Sequence, residues 1–274
     1  MRLIVCRSKT LNPSQAATAL RRSVEVNPAN ASEQRTVVRT PIGRRGGAKR
    51  LAVVIGRKWP KSGIELSVQF LDNPSRDLRK RVLLHMNAWS KAANVRFTET
   101  SGVGQVRISR LNAPEDMAGY WSYVGTEILG IEEDQPTFNL EGFTMRTSES
   151  EFKRVVRHEA GHTLGFDHEH MRADLVSRID RNKAIAYYDR EEGWTTEETI
   201  EQVLTPLSKR SIMGTLESDP HSIMCYQIPG EITKDGKTIP GGLDINAKDY
   251  KFAGTIYPVN AGRIPRDRAH SSPI

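Results

Sequence analysis

Between Glu151 and Met171 the chain reads EFKRVVRHEAGHTLGFDHEHM. His158 and His162 are four residues apart, so on a helix they stand one turn above one another and can reach a single point in space. Gly165 follows, and a residue without Cβ can take the left-handed conformation that ends a helix and reverses the chain. His168 then returns from the far side, so that three imidazoles converge. Such a donor set suits zinc, which takes nitrogen ligands at about 2.0–2.1 Å and, in a catalytic site, leaves a fourth tetrahedral corner to water. Glu159, beside the first histidine, is placed to accept that water's proton. The chemistry expected is hydrolysis by a metal-activated water, with His158, His162 and His168 as metal ligands, one Zn2+ as cofactor and Glu159 as general base.

These residues need a rigid helix beneath them. Phe152, Val155, Val156, Ala160, Thr163 and Leu164 recur at i, i+3, i+4, i+7 and i+8, the period of a helix with one apolar face against a core. Ser148 and Glu151 form an S-x-x-E capping box at its start, where Glu149 and Glu151 also suit the positive end of the helix dipole. Further upstream, Ile64, Leu66, Val68 and Phe70 alternate with Glu65, Ser67 and Gln69 as a half-buried strand does. Asp72 or Asn73 reads as the cap of a helix opened by Pro74, with a stripe of Leu78, Val82, Met86, Trp89 and Ala93. His85, beside that stripe, reads as a packed core histidine. Strands are expected at 95–100, 105–111 and 137–140, and helices at 180–192 and 196–204, with Asp180, Glu191 and Glu192 as surface charge. Asn246 and Asp249 form a capping pair before Tyr250, Ala253 and Ile256 or Tyr257.

The extended spacing H-E-x-x-H-x-x-G-x-x-H is the signature of the metzincin metalloproteases, and GFDHEHMRAD, with Glu169, Arg172 and Asp174, resembles the astacin family. Leu175 departs from the Arg that many members carry. KWPKSGIELSVQFLD resembles the start of astacin catalytic domains, and SIMCY at 222–226 resembles their Met-turn. Ser211-Ile212-Met213 repeats its first letters, but Gly214 and Thr215 follow, so the second copy is chosen. The resemblance implies a zinc metalloendopeptidase with an α+β, two-lobed catalytic domain. Its upper lobe holds a twisted mixed sheet with a backing helix and the active-site helix; the lower lobe is smaller and mostly helical or irregular. Met224 is then an apolar floor under the ligands, and Tyr226 a second catalytic residue that stabilises the oxyanion. The aromatic stretch 119–129 lies near the edge strand that pairs with extended substrate. Residues 227–242 supply walls of the specificity pocket. Cys225, where relatives often have His, reads as a buried thiol.

On this reading residues 58–260 are the catalytic domain, 58–165 its upper and 166–260 its lower lobe. Residues 1–57 are a basic arm or pro-segment, and 261–274 a disordered tail in which His270 belongs to no site. In the family a preceding segment often fills the cleft, and Cys6 is a candidate to block the zinc as an inhibitory thiolate. Two cysteines cannot form the two disulfides typical of animal members, which points to the bacterial branch. At 274 residues the chain can bury one good-sized core or two small lobes around a cleft. No window has the apolar length of a membrane span, and MRLIVCRSKT lacks the features of a Sec signal, so the cytoplasm or a non-classical export route is expected. Of the net charge of +7, residues 1–60 hold +11, leaving −4 for 61–274. Two other classes compete with the protease. One is a zinc-bearing binding module without catalysis, against which stand the intact Glu159, Gly165 and Tyr226. The other is a basic arm that binds nucleic acid or membrane with the zinc domain as passenger, but no aromatic residue interleaves the arm's charges before Trp59. The partner expected is a protein or peptide substrate.

Overall fold

The computed structural model describes residues 6–31, 56–114, 117–207 and 218–259. The strand expected within 51–55, the Ser211-Ile212-Met213 repeat and the tail with His270 lie outside them.

Alternation of apolar and polar residues produces β1 (Ile64–Phe70), whose Leu66 and Val68 are fully buried. It pairs in parallel with β2 (Val95–Glu99) on one side and with β3 (Val106–Ser109) on the other. Next come β4 (Tyr120–Ser122) and β5 (Phe138–Leu140), giving the order β2-β1-β3-β5-β4 with only β4 antiparallel. The sheet is therefore mixed, and its antiparallel edge, β4, faces the cleft. The aromatic run does not continue as strand beyond Ser122, because Gly125 at φ +55 turns the chain into a 3-10 segment, Gly125–Gly130.

Helix α2 (Arg76–Met86) backs the sheet through Leu78, Val82 and Met86. Its cap differs from the expected Asp72 or Asn73. Asn73 is spent on a left-handed turn at φ +44, and Ser75 accepts from the Leu78 N–H instead, leaving Pro74 outside the helix. The apolar stripe itself bridges a change of geometry, since Trp89 lies in the 3-10 turn Asn87–Lys91. Helix α3, the active-site helix, runs continuously through an α turn at Glu149–Glu151, a π segment at Phe152–Val156 and an α segment at Arg157–Thr163. Ser148 caps it, but Glu151 turns its carboxylate onto Arg154 rather than back to the cap, so only half of the capping box forms. Phe152, Val155, Val156, Ala160 and Leu164 are buried in the same core as Trp59, Leu66, Val82 and Phe138.

A second core lies beneath the lower lobe. Leu175, Tyr188, Trp194, Val203, Ile228 and Ile239 form it, with Cys225 and Tyr226 on its edge towards the site. Helix α4 (Arg181–Glu192) is capped by Asp180, which accepts from the N–H groups of Asn182 and Lys183 and so does more than carry surface charge. Gly193 at φ +68 ends α4, and α5 (Thr196–Thr199) passes into a π turn, Ile200–Leu204. Helix α6 (Ala247–Ile256) closes the described chain with the Asn246/Asp249 capping box. Two cores with a cleft between them make the α+β, two-lobed architecture.

Part of the arm is folded. Pro13–Val26 form α1, opened by an Asn12/Gln15 capping box, and it packs on the 3-10 segment so closely that a Cβ on Gly130 would meet the Gln15 carbonyl at 2.4 Å. Asn27 and Asn30 donate to the Lys58 carbonyl. Arg57 is clamped between Glu127 and Asp167, at 3.0 and 2.9 Å. Among the described residues no helix is long and apolar enough to cross a membrane.

Candidate active site

Helix α3 ends on aromatic donors from elsewhere in the chain. Trp59 Nε1 donates to the Thr163 carbonyl at 2.8 Å, and the Tyr257 hydroxyl to that of Leu164 at 2.6 Å. Both carbonyls belong to the last turn, whose acceptors have no partner within the helix. Gly165 then takes φ +94, donates to the His162 carbonyl at 2.7 Å and turns the chain back over the helix end.

The three Nε2 atoms of His158, His162 and His168 converge. They lie 3.1 Å apart for His162 and His158, 2.9 Å for His162 and His168, and 3.3 Å for His158 and His168. A tetrahedral ion at the zinc distance of about 2.0–2.1 Å needs its donors roughly 3.3 Å apart, so the triangle is close to the required size. The other ring nitrogens fix the tautomers. His158 Nδ1 donates to the Ile223 carbonyl at 2.6 Å and His162 Nδ1 to that of Phe166 at 2.7 Å, which leaves an Nε2 lone pair on each ring aimed at the common point. His168 Nδ1 meets the Ser8 hydroxyl at 3.1 Å. Burial holds His158 down to about 4 and the other two well below the ordinary histidine value. Neutral, buried nitrogens with facing lone pairs repel one another unless a cation sits between them, so the donor set fits a zinc ion.

The Met-turn forms the floor. Its Met224 carbonyl accepts from Glu169 N at 2.8 Å, and its sulfur lies where a Cβ on Gly161 would come within 2.5 Å. Only glycine lets the helix and the turn approach so closely. Asp249 at the start of α6 accepts from the Ser222 hydroxyl at 2.6 Å and from Ile223 N at 3.0 Å. One residue thus caps α6 and anchors the turn whose Ile223 carbonyl orients His158. The capping role is legible in the sequence; the reach to the Met-turn is not. Glu169 accepts from Asp219 N at 2.9 Å, and Asp174 from the Ser218 hydroxyl, so both brace the turn from behind.

Glu159 is 1% exposed and burial pushes its carboxyl up to about 8. Its partner is the Cys6 thiol, which donates to Oε2 at 3.5 Å. Burial first, and the neighbouring Glu159 second, push that thiol well above its usual range. The Cys6 sulfur and the three histidines form one group of donor atoms within 4.8 Å of one another. The Cys6 carbonyl accepts from the Tyr226 hydroxyl. Tyr226 is held face to face on His170, with centroids 3.9 Å apart and planes at 18°. Cys225 is buried. A cleft runs past these groups between Tyr120, Arg154 and Val155 on one side and Gln227, Pro240, Gly241 and Leu243 on the other. Ser8, His170 and Gln202 were not singled out by sequence reasoning. His170 adjoins a ligand and could have been noticed, but nothing local signals that Ser8 meets a residue 160 positions away.

The model of the peptidase family described as Astacin matches residues 53–229. The chain is 37% identical over 123 residues to zinc metalloproteinase nas-27 of Caenorhabditis elegans, a match covering 44% of this chain and 25% of that protein. It therefore spans about a quarter of the length of that curated relative. Among solved structures it is similar to "Structure of myroilysin", with a TM-score of 0.69 and 31% identity over 76% of this chain and 98% of that one. A second myroilysin crystal structure aligns with a TM-score of 0.55 at 30% identity, covering 74% and 86% of the two chains.

Proposed function

The chain belongs to the astacin family of peptidases, and on that premise we propose that it is a zinc-dependent endopeptidase held latent by its own N-terminal arm. The observation that carries the reading is the convergence of three neutral Nε2 atoms beside a buried carboxylate. Zinc, held by His158, His162 and His168, supplies Lewis-acid activation of water and of the scissile carbonyl.

The chain's own residues do the rest. Glu159 Oε2 accepts the proton of the attacking water and passes it to the leaving amine. The Tyr226 hydroxyl, a donor already, is the group that turns to the developing oxyanion once the Cys6 carbonyl withdraws. β4 is the edge strand along which an extended peptide lies.

Residues 6 and 7 lie against that strand, Cys6 bridging to Tyr120 and Arg7 N donating to the Tyr120 carbonyl. The Cys6 carbonyl also holds Tyr226 and its thiol holds Glu159, so one residue engages the edge strand and both proposed catalytic groups. The Cys6 sulfur, grouped with the three histidine nitrogens, would join them in holding a zinc ion and would keep water from it. Residues 1–57 are thus read as a pro-segment, and residues 58–260 as the catalytic domain.

The test pairs two variants of the full chain. Cys6→Ala should raise peptide hydrolysis above the wild-type level, because the arm loses its grip at the metal. Glu159→Gln added to it should lower that hydrolysis by a factor of ~10² to 10⁴, with zinc content unchanged. Equal hydrolysis with and without Glu159 would refute the assignment.

A further inference from the structure

The arm is gripped as a peptide ligand is gripped. Arg7 N donates to the Tyr120 carbonyl at 3.1 Å, Ser8 N to Gln202 Oε1 at 2.9 Å, and Gln202 Nε2 returns a bond to the Ser8 carbonyl at 3.2 Å. On the arm's side these contacts use only main-chain groups, which any extended peptide offers. Cys6 and Ser8 turn their side chains to the metal centre. Arg7 and Lys9 do something different. The Lys9 ammonium stands 4.6 Å from the centroid of the Trp121 ring, and the Arg7 guanidinium 5.8 Å from that of Trp194.

Both indoles are held in place before any cation arrives. Trp121 donates its Nε1 to the Met117 carbonyl at 2.9 Å and meets Tyr123 edge to face. Trp194 is stacked on Tyr188 with centroids 5.0 Å apart and planes at 13°. Tryptophan is the best aromatic partner for a cation, and burial strengthens the attraction. Each of these two buried indoles meets a cation that projects from the arm on either side of Ser8. Beyond the arm, the net charge of −4 over residues 61–274 favours cationic visitors.

We propose that Trp121 and Trp194 are two substrate subsites, each taking a lysine or arginine side chain, and that this cleft receives peptides with basic residues two positions apart, as Arg7 and Lys9 are. The inference rests on the peptidase reading, in which the arm stands where substrate goes.

The experiment uses the zinc-loaded full chain and follows alkylation of Cys6 by iodoacetamide, assigned by peptide mass mapping so that Cys225 does not interfere. Two capped peptides compete with the arm, Ala-Arg-Ser-Lys-Ala and the same sequence with Gln for Arg and Lys. The basic peptide should uncover Cys6 at a concentration roughly tenfold lower than the neutral one. Trp121→Phe and Trp194→Phe keep a packed ring with a weaker quadrupole, so each should shrink that advantage. Lys9→Gln should speed labelling in the wild-type background and add little to Trp121→Phe. Equal potency of the two peptides, no effect of either, or an advantage that survives both Phe variants overturns the proposal. Labelling needs no turnover, so a failure of the peptidase reading, seen as hydrolysis indifferent to Glu159, is a separate result.

Discussion

Tyr226 shows how much one side chain can be asked to do. Its hydroxyl is bound to the Cys6 carbonyl and its ring is pinned on His170. Burial, then the neighbouring Cys6 and Glu159, push its phenol well above the usual tyrosine range, so the proton stays on oxygen and the group is a donor. A donor that meets charge only as it develops contributes to the rate more than to binding. Tyr226→Phe, made in the Cys6→Ala background, should therefore lower kcat by about 10²-fold or more with KM nearly unchanged. A change confined to KM would assign the hydroxyl to substrate binding instead. Steady-state kinetics on one peptide decides between them.

At the scale of elements, the site depends on a helix end and a turn. Gly165 holds φ +94, outside what a side chain tolerates, and a Cβ there would stand 3.2 Å from the Arg57 carbonyl. Gly165→Ala should cost about 1–3 kcal/mol, a fall in Tm of roughly 2–4 °C for each kcal/mol in a chain of this size. It should also weaken zinc binding, because His168 lies three residues beyond. Asp249 offers a contrasting case, where the backbone is relaxed and the bonds matter. Asp249→Ala removes the acceptors of the Ser222 hydroxyl and Ile223 N, and through the Ile223 carbonyl loosens His158. Zinc affinity should drop by ~10-fold or more, the usual effect of losing an outer support of a metal ligand. Competition with a chelator measures both variants; an unchanged affinity in Asp249→Ala would show that the Met-turn is held by packing alone.

For the molecule as a whole, acid sensitivity follows from its buried histidines. Burial lowers His158 to about 4 and His170 to about 3, and lowers His85 as well. An unfolded histidine titrates near 6.5, so between that value and the depressed ones the unfolded chain takes up protons that the native chain refuses. The contribution of these histidines is therefore complete above pH ~6.5 and is lost as the pH falls below it, while the raised carboxyls of Glu159, at about 8, and Glu169, at about 7, act in the opposite direction. After chelation, replacing His170 by Gln should make Tm less sensitive to acid between pH ~7 and pH ~4.5 than in the unaltered chain, because one depressed histidine is removed. An acid sensitivity in that variant as large as in the unaltered chain would contradict the sign. Zinc should raise Tm and lessen the acid sensitivity by occupying the Nε2 atoms of His158, His162 and His168. The folded arm adds to the same balance, since α1 covers the 3-10 segment and Cys6 joins the lower core.

The sequence by itself determined the elements whose signals are local. The four-residue spacing of His158 and His162, the glycine after them, the period of α3, the alternation of β1 and the capping pair of α6 each involve neighbours a few residues apart, where helix and strand geometry dictate which side chains meet. Its smaller misses have local causes too: Asn73 took a left-handed turn and passed the cap to Ser75, and Glu151 found Arg154 nearer than its cap. What only the tertiary structure decided is which distant groups share one volume. Cys6 meets Glu159 across 153 positions of sequence, and Ser8 meets His168 across 160. Such contacts are set by the closing of two lobes and the return of the arm over β4, and no periodicity in the chain encodes them.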